Sequence, residues 1–130
     1  MKTTNDNSSD FFGNPVSIYT GQQAIEDGLL VEVTETAREA GFNWPVALTA
    51  EVWADIQAIP ASQSHQDVSG RLWDVLSMLF FAIRRHKDAQ RIDYSIIMHV
   101  GRKTNYFLTA EITLWNTDGA PMMVIKKRTV

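Results

Sequence analysis

Residues 84–130 hold nine of the twelve basic side chains in this 130-residue sequence, and their grouping is its most direct chemical signal. Arg84, Arg85, His86 and Lys87 with Arg91 form one group, Arg102 and Lys103 a second, and Lys126, Lys127 and Arg128 a third. Converging in the fold, they would make an anion-binding patch for an acidic macromolecule, either a nucleic acid or an acidic protein surface. Tyr94, Tyr106, Phe107 and Trp115 lie between the groups and would add base-stacking platforms. The groups also have ordinary structural uses. Cations at a helix C-terminus complement its dipole, and lysines on a last strand protect a sheet edge.

Candidates for catalysis are fewer. His65, His86 and His99 fall in a loop, at a helix end and on a strand, with no common spacing and no H-E-x-x-H pattern. His86 reads as a dipole partner for the preceding helix. His99 lies on the off-core face of a strand, where Asp93 shares its face and Glu111 sits on the neighbouring strand. His99 and Glu111 are therefore the candidate acid–base pair. Glu35 and Glu39 share a helix face through their i, i+4 spacing, but no third carboxylate follows at a ligand spacing, so they read as a solvated acidic face and no metal is expected. There is no G-x-G-x-x-G, Walker or G-x-S-x-G pattern, so no cofactor is expected either.

Charge is lopsided along the chain. Residues 1–83 carry three basic against eleven acidic side chains, a net of −8, and residues 84–130 carry nine against four, a net of +5. Two partner readings follow: an acidic macromolecule at the basic C-terminal half, or a basic partner at the acidic helical half. The chain has no cysteine, which excludes disulfides and thiol chemistry and suits a reducing cytoplasm. No window approaches a transmembrane length of apolar residues, and Met1 to Asp10 lacks the basic and apolar regions of a signal peptide, so a cytoplasmic protein without a membrane partner is expected.

The elements that must position these residues are marked by caps and periods. Residues 1–15 read as a loose tail and 16–130 as a single domain, large enough to bury about two-thirds of its unfolded surface. Thr20 and Gln23 form a capping box for a helix over residues 21–27 that stops at Gly28. Thr34 is a second cap, for a short helix ending at Gly41. Trp44-Pro45 is extended and leads through Val46-Ala47-Leu48 to Thr49, the cap of a helix that finishes before Pro60. Residues 61–69 are polar and read as a mobile loop. Leu72, Val75, Leu76, Leu79, Phe80 and Ile83 then follow the 3.6-residue period of a core helix over about 70–87. Trp44, Trp53 and Trp73 with Phe80 and Phe81 read as core, any exposed remainder serving as an anchor for a partner.

After Arg91 the period falls to two. Ile92, Tyr94, Ile96, Met98 and Val100 face the core from one strand, and Tyr106, Leu108, Ala110, Ile112 and Leu114 from the next. Asn116 to Gly119 marks a hairpin, and Pro121 opens a third strand to Lys127. Helices followed by strands define an α+β class: short N-terminal helices and one long core helix packed on a three-stranded antiparallel meander, with Leu29–Val33 or Val16–Tyr19 able to add an edge strand.

Val16 to Thr20, Gln23 to Gly28, the Thr34/Ala37–Phe42 run, Pro45 to Thr49 and Val52-Trp53 together resemble a bacterial family of small proteins carried on plasmids and other mobile elements, a domain-of-unknown-function family. Gly70 to Leu76, Ala82 to Arg85 and Asp118-Gly119-x-Pro121 extend the resemblance over roughly residues 16–125. The chain departs from that family at Gly21, where a polar or basic residue is usual, and at Trp115-Asn116-Thr117, which replaces a Gly-Pro turn. Tyr19-Thr20 with Ile25 to Leu30 also resembles the opening of some ADP-ribosyl-transferring folds, without the later glutamate context. The resemblance implies a fold and a mobile-element setting. Together with the charge pattern it gives the functional expectation: an accessory, non-enzymatic macromolecule-binding module, with a counter-defence role within its scope. The rival is a small enzyme, a transferase or hydrolase, working through exposed polar residues on the sheet.

Overall fold

The computed structural model describes residues 19–59, 67–99 and 102–128, with the backbone alone for His99. The expected tail over 1–15 and residues 61–66 of the expected loop lie outside the described residues; the rest of that loop is not loop, since Asp67 caps the long helix and Val68 and Ser69 are its first residues. In chain order the elements are α1 (Gly21–Glu26), β1 (Leu30–Glu32), α2 (Thr34–Glu39), β2 (Val46–Thr49), α3 (Ala50–Gln57), α4 (Val68–Arg85), β3 (Arg91–His99), β4 (Lys103–Leu114) and β5 (Pro121–Lys127).

Local signals set most of the boundaries. The Thr20 hydroxyl accepts from the Gln23 amide while the Gln23 side chain accepts from the Thr20 amide, closing the capping box on α1. Thr49 caps α3 by accepting from the Val52 amide, and Asp67 caps α4 by accepting from the Gly70 amide. Thr34 departs from expectation. It is the first residue of α2 rather than its cap, and its hydroxyl instead donates to Glu32 and accepts the Val46 amide, tying α2 to β2. Gly41, at φ 112°, ends the α2 segment as the Phe42 amide turns back to the Ala37 carbonyl.

The sheet has five strands in the order β1-β2-β5-β4-β3, not three. The expected meander is present as β3, β4 and β5, all antiparallel. It continues because β5 pairs in parallel with β2, Val46 opposite Met123 and Leu48 opposite Ile125. The sequence hid β2 because Val46, Ala47 and Leu48 are all fully buried, so no alternation marks the strand. The Leu29–Val33 alternative supplies the edge strand β1; of the other, Tyr19 is not in a strand and 16–18 lie outside the described residues.

One face of the sheet carries the main core. Ile92, Tyr94, Ile96 and Met98 on β3, with Leu108, Ala110 and Ile125, meet Leu72, Val75, Leu76 and Leu79 of α4. The Tyr94 hydroxyl donates to the Val75 carbonyl at 2.9 Å, satisfying a buried group inside this layer. Arg71 is also buried: its Nη1 donates to the carbonyls of Asp55, Ile56 and Ala58 and so caps the C-terminus of α3. On the other face α1 lies against Met122, whose sulfur fills the space a Cβ on Gly21 would need, and Ala24, Ala47 and Met122 are buried there outside the main cluster.

Candidate functional site

The nine expected cations separate into four places. Arg91, Lys126 and Arg128 lie on the face of the sheet opposite α4. Register sets Arg91 opposite Glu111, and Asp93 opposite Thr109, which in turn faces Lys126. Lys126 Nζ sits 2.7 Å from Glu111 Oε1, and Arg91 lies 3.9 Å from Glu111 and 3.7 Å from Asp93. Arg128 Nη1 is 3.8 Å from Asp93 Oδ2, with its guanidinium 5.1 Å over the Phe107 ring. Beneath this lattice Thr109 donates its hydroxyl to Asp93 at 2.6 Å. That hydrogen bond, with Arg128 and Arg91 nearby, holds the Asp93 carboxyl below its ordinary range. Three cations are thus engaged with two carboxylates.

Lys127 alternates to the helix face. It lies 3.5 Å from Asp55 of α3 and 5.5 Å over the ring of Tyr106, whose hydroxyl also donates to Asp55. Burial, then the Asp55 bond, pushes the Tyr106 phenol far above its ordinary value. Arg102 and Lys103 stand at the opposite end of the β3–β4 ladder, exposed to solvent. Arg84, Arg85 and Lys87 stand exposed where α4 ends, with Arg84 5.9 Å over the Phe80 ring.

The candidate catalytic pair is not brought together. Register places His99 opposite Lys103 and Glu111 opposite Arg91, eight positions apart, which is about 26 Å along the strands. His86 is the C-cap residue of α4, and His65 lies outside the described residues. Tyr19 donates to Asp27 at 2.7 Å and is exposed. Among the described residues no group of three histidines or carboxylates could hold a metal ion. The acidic half is partly spent: Asp55 serves Lys127 and Tyr106, and Glu32 accepts from Thr34, while Glu35 borders a shallow groove beside Trp53.

The aromatic residues expected in the core depart from that reading in a way that builds a site. Trp73 is 42% and Phe81 53% exposed on the outer side of α4, and Trp44 is 41% exposed. Between the loop after α2 and the last turns of α4 opens a pocket of about 240 Å³. Phe42 and Trp44 form one wall, Phe80 and Ile83 another, and the floor is the sheet at Ala110 and Met123. The hollow has two local causes. Ala110 lies in register between Ile92 and Ile125 and fills less space than either. Gly41 lets the Phe80 ring approach, since a Cβ there would sit 2.6 Å from it, and Phe80 then meets Phe42 edge-on at 5.8 Å. Among the described residues Lys87 is the one charged residue lining the pocket, and Asn43 and Gln90 add neutral amides.

Sequence reasoning missed this pocket because its parts lie far apart in the chain. The one local signal was Trp44-Pro45, which forces the chain out of helical geometry beside a large aromatic residue.

Comparison of the chain with protein-family models, curated proteins and solved structures found no match. Among the described residues no helix is long and apolar enough to cross a membrane.

Proposed function

We propose that this protein is a non-enzymatic module that binds an acidic protein partner at the corner where α4 ends. The observation that carries the proposal is the company Arg85 and Lys87 keep. Among the described residues neither has a carboxylate within ion-pair distance, whereas Arg91, Lys126, Lys127 and Arg128 all do. Trp44, an exposed aromatic, lines a pocket with Lys87; Phe81, also exposed, lies one turn before Arg85 on α4, and Arg84 stands over the Phe80 ring, while Arg85 itself borders a separate hollow with Asp93. Arginine next to exposed aromatic surface is the composition of an interaction hot spot.

A protein partner is favoured over a nucleic acid. Tracking a phosphate backbone requires a continuous run of cations, and these are split among four places. The expected stacking platforms also lie elsewhere: Tyr94 is buried against α4, Tyr106 is bound to Asp55 under Lys127, Phe107 is covered by Arg128, and Trp115 is half-buried just after β4, beside α1. The mobile-element setting, with its counter-defence scope, enters this proposal through the resemblance alone.

The test is affinity capture from a bacterial host lysate, with and without nuclease, at low and high salt. The expected result is a protein that survives nuclease and is released by salt, because charge steering weakens as the Debye length shrinks. Recovery that disappears with nuclease would assign the surface to nucleic acid and overturn the proposal.

A further inference from the structure

The pocket beside this corner carries an inference that goes beyond the macromolecule proposal and does not depend on it. We infer that the pocket walled by Phe42, Trp44, Phe80 and Ile83 is a binding site for a small apolar monoanion: a single ring or short alkyl chain bearing one carboxylate. Three observations lead there. The walls and floor are mostly apolar, with Ala110 at the base and the Asn43 and Gln90 amides beside them. Trp44, on one wall, is itself exposed to solvent. Among the described residues the pocket's one charged lining residue is Lys87, and no carboxylate lines it. An apolar body with one negative end matches that arrangement, whereas a cation would meet no counter-charge and a neutral hydrocarbon would leave Lys87 without a role.

Size and rigidity narrow the class. A volume of about 240 Å³ lies just below the usual span of drug-sized ligand sites, which excludes extended or multi-ring bodies. The walls are held by backbone. The Phe42 amide bonds the Ala37 carbonyl, and the Met123 amide bonds the Pro45 carbonyl at 2.9 Å, so the loop carrying Phe42 and Trp44 is tied at both ends. Such a site is largely formed before its ligand arrives, which lowers the ordering cost of binding.

The same chemistry comes from two sources, a free organic acid or the C-terminal carboxylate of a peptide ending in an apolar residue. The probes are therefore 3-phenylpropionate, its neutral amide, and acetyl-Gly-Phe with a free carboxylate, each titrated to about 10 mM while amide and indole resonances are followed by NMR. The expected result is shifts concentrated at Gly41, Trp44, Lys87 and Ala110, with the carboxylate bound at least about fivefold more tightly than the amide. Tighter binding of acetyl-Gly-Phe than of 3-phenylpropionate assigns the site to a chain terminus, and the reverse assigns it to a free acid. Lys87→Gln, an exposed change that leaves the fold intact, is expected to abolish the preference for the carboxylate while weak binding of the ring persists. Ala110→Val is expected to remove binding of all three probes by filling the floor. Arg85 lines no part of the pocket, and Arg85→Ala is expected to leave probe affinity unchanged, so failure of the partner proposal and failure of this one are distinguishable. Absence of shifts around the pocket at saturating probe, or equal affinity for the acid and its amide in the unaltered protein, would overturn the inference.

Discussion

Asp93 shows how a single residue changes the meaning of a charge pattern. Its carboxylate draws in Arg91 and Arg128 and takes the Thr109 hydroxyl, so two of the cations that looked available for a partner are engaged inside the molecule. Because its folded pKa is depressed, the stability it contributes is present above its unfolded pKa and is lost as pH falls through the folded value. Asp93→Asn is therefore expected to be less stable than the unaltered protein at neutral pH, and the gap should close below about pH 4, where the unfolded carboxylate also takes up protons. Urea unfolding at a series of pH values checks this, and a gap that widens on acidification would contradict it. Arg71 makes a different point. Sequence position gave no hint that this cation would be buried, yet it holds three carbonyls at the end of α3. Arg71→Met removes those charge-assisted hydrogen bonds and is expected to cost about 2–3 kcal/mol by equilibrium unfolding.

At the scale of elements, α4 is the member on which the others rest. Leu79 is fully buried at its centre, and Leu79→Ala is expected to cost about 2–5 kcal/mol through the cavity it leaves. Gly41 at φ 112° faces Phe80, so Gly41→Ala combines backbone strain with a steric clash and is expected to cost roughly 1–3 kcal/mol. Both follow from features legible in the sequence: the 3.6-residue stripe of α4 and the glycine that closes α2. Thr20 with Gln23, Thr49, Gly28 and the alternation of β3 and β4 were legible for the same reason, since each is a local pattern. What was not legible depends on contacts between distant segments. β2 gave no alternation because both its faces are covered, and its parallel pairing with β5 joins residues far apart in the chain. Thr34 looked like a cap, but the nearby Val46 amide offered its hydroxyl a tertiary partner. The pocket needs Gly41, Phe80 and Ala110 from three separate elements, and no single window of sequence contains them.

At the scale of the whole molecule, the lopsided distribution of charge along the chain is only partly preserved in space. Antiparallel pairing sets Glu111 beside Arg91 and Lys126, and packing of α3 on the sheet sets Asp55 beside Lys127, so opposite charges meet across elements. What remains is a small basic corner at the end of α4, flanked by aromatic surface, and a separate basic turn at Arg102 and Lys103. A partner recognising net charge would use both; a partner recognising the corner would use one. The most direct measurement compares two double variants in the same nuclease-treated capture, Arg84→Ala with Arg85→Ala against Arg102→Ala with Lys103→Ala, because each removes two positive charges. The α4 pair is expected to reduce recovery of the protein partner at least about fivefold, while the turn pair leaves it within about twofold. Equal losses in the two variants, or none in the α4 pair, would contradict the account.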